Sequence, residues 1–147
     1  GQFWIAHHHM FEYVRRYDQG LLWLNLISLL TVSFMPFPTA LIGARLETDA
    51  VFPVVFYAAS MTVSSFALTA SWVYAVHRRL INPSVPAAEV RAFTGRAVAT
   101  SAVFLLSVGA AFLGLPVAVL FWLVLLPLAR LLLARASARR RPRAPQT

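Results

Sequence analysis

The sequence contains no cysteine and no lysine, and only 12% of its 147 residues are charged. The missing cysteine excludes disulfides, thiolate metal sites and a cysteine nucleophile. The scarcity of charge excludes an ordinary water-soluble domain, which carries roughly 25% charged residues. No Ser-His-Asp arrangement, paired carboxylate or phosphate-binding loop is present, so no enzyme chemistry is expected. A signal peptide does not fit either, because Gly1-Gln2-Phe3-Trp4 lacks a basic flank, a full apolar core and a cleavage site. With no initiator methionine, residue 1 is expected to lie inside a longer gene product.

What is present is apolar. Hydrophobic residues make up 59% of the chain, and the mean hydropathy is +0.69. A membrane helix needs about 20 mainly apolar residues to cross ~30 Å of hydrocarbon. No charge falls between Asp18 and Arg45, and Leu21–Gly43 is read as one span. Val51–Val76, between Asp49 and Arg78, is a second. The charge-free stretch from Arg96 to Arg130 is too long for one crossing. Gly114-Leu115-Pro116 divides it, since glycine ends helices and proline starts them, leaving Ala97–Leu113 and Val117–Leu133. Pro127 is expected to kink the last of these. Phe3–Val14 is apolar and aromatic but too short to cross, so residues 1–16 read as the end of a truncated helix. The fold class is therefore all-α: a polytopic helical membrane protein with four complete transmembrane helices and the end of a preceding one.

The thirteen arginines account for the net charge of +8 and a pI near 11.5. With this topology twelve fall on one side, at Arg15, Arg16, Arg78, Arg79, Arg91, Arg96, Arg130 and five in the tail, and Arg45 alone on the other. That asymmetry is the positive-inside pattern and predicts a cytoplasmic C-terminus. It also removes the main argument for nucleic-acid binding. Asn82-Pro83 and Pro86 mark a turn that leads into a short basic helix before the third span. Residues 134–147 are rich in arginine, alanine and proline without apolar periodicity, and read as a disordered basic cytoplasmic tail.

Polar side chains inside a membrane are expensive, which makes them the candidate functional residues. Trp4, His7, His8 and Phe11 fall on one helical face at spacings of three, four and seven. Asn25 lies about one turn inside the next helix. The short Arg15–Gly20 connection makes the two helices antiparallel neighbours, so a hydrogen bond from the His7/His8 face to Asn25 is expected. His7-His8-His9 with Glu12 has some look of a metal site. Adjacent helical residues point ~100° apart, however, and the chain has no second ligand pair, so no metal is expected. Ser60, Ser64, Ala67 and Ser71, like Ser107, Ala111 and Gly114, follow the small-residue spacing of close helix packing.

Three blocks carry a resemblance: Phe3-Trp4-x-x-His7-His8-x-x-Phe11, then Leu21-Leu22-Trp23-Leu24-Asn25-Leu26, then Pro36-Phe37-Pro38-Thr39-Ala40-Leu41. In order and spacing they resemble the transmembrane protein 175 family, bacterial homologues of the endolysosomal potassium leak channel. The resemblance implies a six-helix subunit in the bacterial plasma membrane with both termini cytoplasmic. It implies a homotetramer around a pore that conducts K⁺ passively past an apolar constriction, with no cofactor. It also implies that Trp4, His7, His8 and Asn25 belong to a polar network bracing the family's first helix. That helix carries a Phe-Ser-x-x-x-Asp motif, which this sequence lacks, so the chain is expected to be a subunit fragment without its pore helix. Ala6 and His9 depart from an asparagine and an arginine common in the family. A small transporter or membrane scaffold is the alternative that shares the helix pattern.

Overall fold

A computed structural model describes residues 2–45, 51–113, 116–125 and 127–128. Five helices are α1 (Gln2–Glu12), α2 (Gln19–Ser33), α3 (Pro36–Arg45), α4 (Val51–His77) and α5 (Ala87–Ala111). A shorter apolar helix, α6, covers Pro116–Leu125. Three segments are long and apolar enough to cross a membrane: Gln19–Ala44, Val51–His77 and Ala87–Ala111. The chain is thus an all-helical polytopic membrane protein. Its only extended pairing among the described residues is an isolated antiparallel bridge between Val14 and Ile81.

Local chemistry sets the ends. The Asp18 carboxylate caps α2 by accepting from the Leu21 amide at 2.8 Å. At the other end α2 stops at Ser33, and Phe34-Met35 separate it from α3, which opens on Pro36. Proline is suited to a first helical turn and unsuited to an interior one, so the Pro36-Phe37-Pro38 run breaks the segment rather than merely bending it. The short basic helix expected after Pro86 continues without interruption into the next apolar run, giving the 25 residues of α5. The Gly114-Leu115 step and the tail from Ala134 lie outside the described residues.

α4 is the hub, with α5 and α2 packed along it and α3 and α1 touching it more lightly. Most of its buried positions are small, among them Ala58, Ser64, Ser65, Ser71 and Ala75, which lets neighbouring backbones come close, and Trp72 is the large exception. The apolar interior is divided into small clusters. Val14, Leu21, Ala75 and Leu80 close the arginine-rich end, and Val54, Ala58, Ala111 and Ala118 close the opposite one. α2 turns Leu22, Trp23, Leu26 and Leu30 outward, the face expected of a helix in contact with lipid.

Candidate functional site

The sequence-predicted polar residues divide into two pairs. His7 Nε2 donates to Asn25 Oδ1 at 2.6 Å, joining α1 to α2. The His7 ring also lies 4.6 Å from that of Phe11. His8 is turned away: its ring stacks on Trp4 at 5.4 Å, and its Nε2 lies 3.7 Å from Glu12. Trp4 is 67% exposed. His9 meets the same carboxylate at 3.1 Å. The four residues therefore share α1 and its neighbour without forming one network, and Trp4 and His8 present an outward face. Among the described residues no group of three His, Cys, Asp or Glu side chains is arranged to hold a metal ion.

A second polar layer lies deeper in the bundle. Ser101 of α5 lies 2.9 Å from Ser65 and 2.9 Å from Thr69, both on α4. Ser28 of α2 reaches Ser71 of α4 at 3.3 Å. Nearer the arginine-rich end, the Trp72 indole donates to Thr94 at 2.8 Å. The available signal was helical spacing: Ser65 and Thr69 are one turn apart on α4, while Ser60, Ser64 and Ser71 belong to an adjoining face. Ser64 is buried with no hydrogen-bond partner for its hydroxyl among the described residues.

Beyond these layers, the connections are tied by charged and backbone groups. Tyr74 donates to the second Asp18 oxygen at 3.0 Å, and Arg78 lies 3.7 Å from it. The Leu21 amide first, then Tyr74 and Arg78, hold the Asp18 carboxyl below its usual range against some desolvation. Tyr13 donates to Glu89 at 2.8 Å, which with burial raises the phenol above its ordinary value. The amides of Arg15 and Arg16 both donate to the Leu80 carbonyl, at 2.9 and 3.3 Å. The Asn82 amide donates to the Tyr13 carbonyl at 2.8 Å. α1 is thus anchored at its end by main-chain bonds to the turn after α4.

Comparison with known proteins gives this arrangement relatives. Residues 1–36 match the family described as the endosomal/lysosomal potassium channel TMEM175. The chain is 34% identical over 119 residues to a potassium channel of Streptomyces collinus, covering 79% of this chain and 58% of that one. It is 36% identical over 69 residues to a potassium channel of a Chryseobacterium species, covering 47% of this chain and 35% of the relative. The chain thus spans about half the length, or less, of these curated relatives. No solved structure matches it.

Proposed function

We propose that this chain, whose residues 1–36 match the TMEM175 family, is part of a channel subunit of that family through which K⁺ crosses a membrane passively. The observation that carries this reading is the 34% identity, extending along 79% of the chain, to a protein named as a potassium channel. The membrane-spanning helices and the lack of any reactive constellation in the sequence agree with it.

The finer reading is a leak channel assembled as a homotetramer in a bacterial plasma membrane. The arginine-rich side, C-terminus included, faces the cytoplasm. The helix that lines the pore lies outside these 147 residues, a reading supported by the absence of a Phe-Ser-x-x-x-Asp motif. On this reading selectivity arises at an apolar constriction on that helix. The His7–Asn25 pair, with Trp4 and His8 beside it, braces the same helix without coordinating ions.

The test is flux from proteoliposomes under a K⁺ gradient. Residues 1–147 alone should give no K⁺-selective current, and a version preceded by the first helices of a homologue should give one. Selective current from 1–147 alone would overturn the assignment of the pore. Flux that saturates and requires a coupled ion would favour the transporter alternative.

A further inference from the structure

The turn after α4 carries a residue that its backbone disfavours. The Leu80 amide donates to Ala75 O at 2.9 Å and the Arg79 amide to Val76 O at 3.1 Å. Leu80 also packs in one cluster with Ala75. These are the two bonds and the apolar contact of a Schellman helix ending. Such an ending needs one residue in the left-handed region, and glycine usually fills it because a β-carbon is unfavourable there. Here the position is held by Arg79, at φ 55°. Local backbone preference is set aside to keep a guanidinium at this spot, and such departures cluster at functional positions.

The same turn gathers three further arginines. Because the Leu80 carbonyl accepts from the amides of Arg15 and Arg16, and Val14 bridges Ile81, the Arg15-Arg16 step is held against the Arg78-Arg79 step. All four side chains are exposed. The carboxylates near them in the chain are engaged: Glu12 with His8 and His9, Glu89 with Tyr13, and Asp18 with Leu21, Tyr74 and Arg78. Among the described residues no ion pair reaches Arg15, Arg16 or Arg79. Four positive charges held together with a single carboxylate call for an anion from outside the chain.

Their height identifies the source. The apolar segment that begins at Gln19 and the one that ends at His77 both meet this turn, so the arginines lie where the chain leaves the hydrocarbon. Tyr17, 57% exposed, is of the type that collects at that level. We propose that Arg15, Arg16, Arg78 and Arg79 bind the phosphate-bearing headgroup of an anionic membrane phospholipid. Guanidinium forks match phosphate oxygens in bidentate fashion, which a diffuse topogenic charge does not require. The site is independent of what the protein conducts.

Native mass spectrometry of the full chain in detergent, titrated with phosphatidylglycerol or phosphatidylcholine, reads the lipid retained. Phosphatidylglycerol should bind in preference to phosphatidylcholine. Removing one arginine by Arg79→Gly should weaken phosphatidylglycerol roughly five-fold, and Arg15→Gln with Arg16→Gln about twenty-five-fold. Arg79→Gly should also melt no lower than the parent, because glycine suits the left-handed backbone at this position. Arg79→Gln should lose the lipid to the same degree without that thermal benefit. Equal retention of the two lipids, or unchanged affinity in Arg79→Gly, would overturn the proposal. So would a fall in melting temperature together with lipid loss in Arg79→Gly, which would make Arg79 a structural residue. Displacement of phosphatidylglycerol by millimolar inorganic phosphate would also overturn it, since the site would then take a free anion.

Discussion

His7 of α1 and Asn25 of α2 meet at 2.6 Å, eighteen residues apart in the chain, in a helical bundle whose other interhelical side-chain bonds are largely between hydroxyls. The contact should be detectable as coupling. Asn25→Leu and His7→Leu, measured singly and together by unfolding in detergent, should cost less in combination than their sum. Interhelical hydrogen bonds in membranes average about 0.6 kcal/mol and reach about 1.7 kcal/mol, which bounds the coupling. His8→Leu should add independently to Asn25→Leu, since His8 faces Trp4 and Glu12. Coupling to His8 in place of His7 would contradict the arrangement.

Gly20 should not tolerate a methyl group. A β-carbon there would overlap the Tyr74 hydroxyl and come within 2.6 Å of the ring carbon that bears it. Gly20→Ala should therefore push the end of the Tyr74 side chain aside and loosen its bond to Asp18, lowering stability by about 1 kcal/mol. Adding Tyr74→Phe should recover part of the loss by removing the first contact. A wild-type melting temperature in Gly20→Ala would refute this packing.

Ser101 serves two partners on α4, so Ser101→Ala should cost about 1 kcal/mol, more than Ser28→Ala on the single 3.3 Å contact to Ser71. Thermal melts of the two variants in the same detergent provide the comparison.

Stability should fall only in acid through Asp18. Its carboxyl is held below the ordinary range in the folded chain. The stabilisation is thus fully present above the unfolded value and is lost as pH drops through the folded one. Melting temperature should be level from neutral pH to about pH 5 and decline below it. Asp18→Asn should flatten the acid arm of the curve. An equally steep decline in that variant would assign the dependence to other groups.

Cysteines introduced at Thr48 and Ser84 should label from opposite sides of the membrane with an impermeant reagent. Twelve of the thirteen arginines sort to the Ser84 side. Labelling of both from the same side would mean that α4 does not cross the membrane and would overturn the span count.

The apolar runs and the charges that bound them made the helical class legible, because burying backbone in lipid leaves helices as the simplest solution for such runs. The His7–Asn25 contact was also within reach, from the face shared by α1 and a short connection to α2. Which of two adjacent histidines would make it was not, since ~100° of helix rotation separates them and that rotation is set by how α1 docks on the bundle, through Phe3 on Phe104 and the buried Met10. The Arg79 ending left no trace in the sequence because the usual cue, a glycine, is missing at that place. The pairing of Ser65 and Thr69 with Ser101 depends on how α4 and α5 are rotated against each other, which spacing within one helix does not encode.

The attachment of α1 to the turn after α4 runs through amides and carbonyls: Arg15 and Arg16 to Leu80, and Asn82 to Tyr13. Every residue but proline carries these groups, so an alanine scan across the joint would pass over it in silence. Only changes to the main chain itself would speak: proline at Arg15 or Asn82, or an ester in place of either amide. Selection acting on side chains has little grip on these bonds themselves, and what holds Arg15, Arg16 and Leu80 in the sequence is the charge and apolar bulk they bring beside the joint.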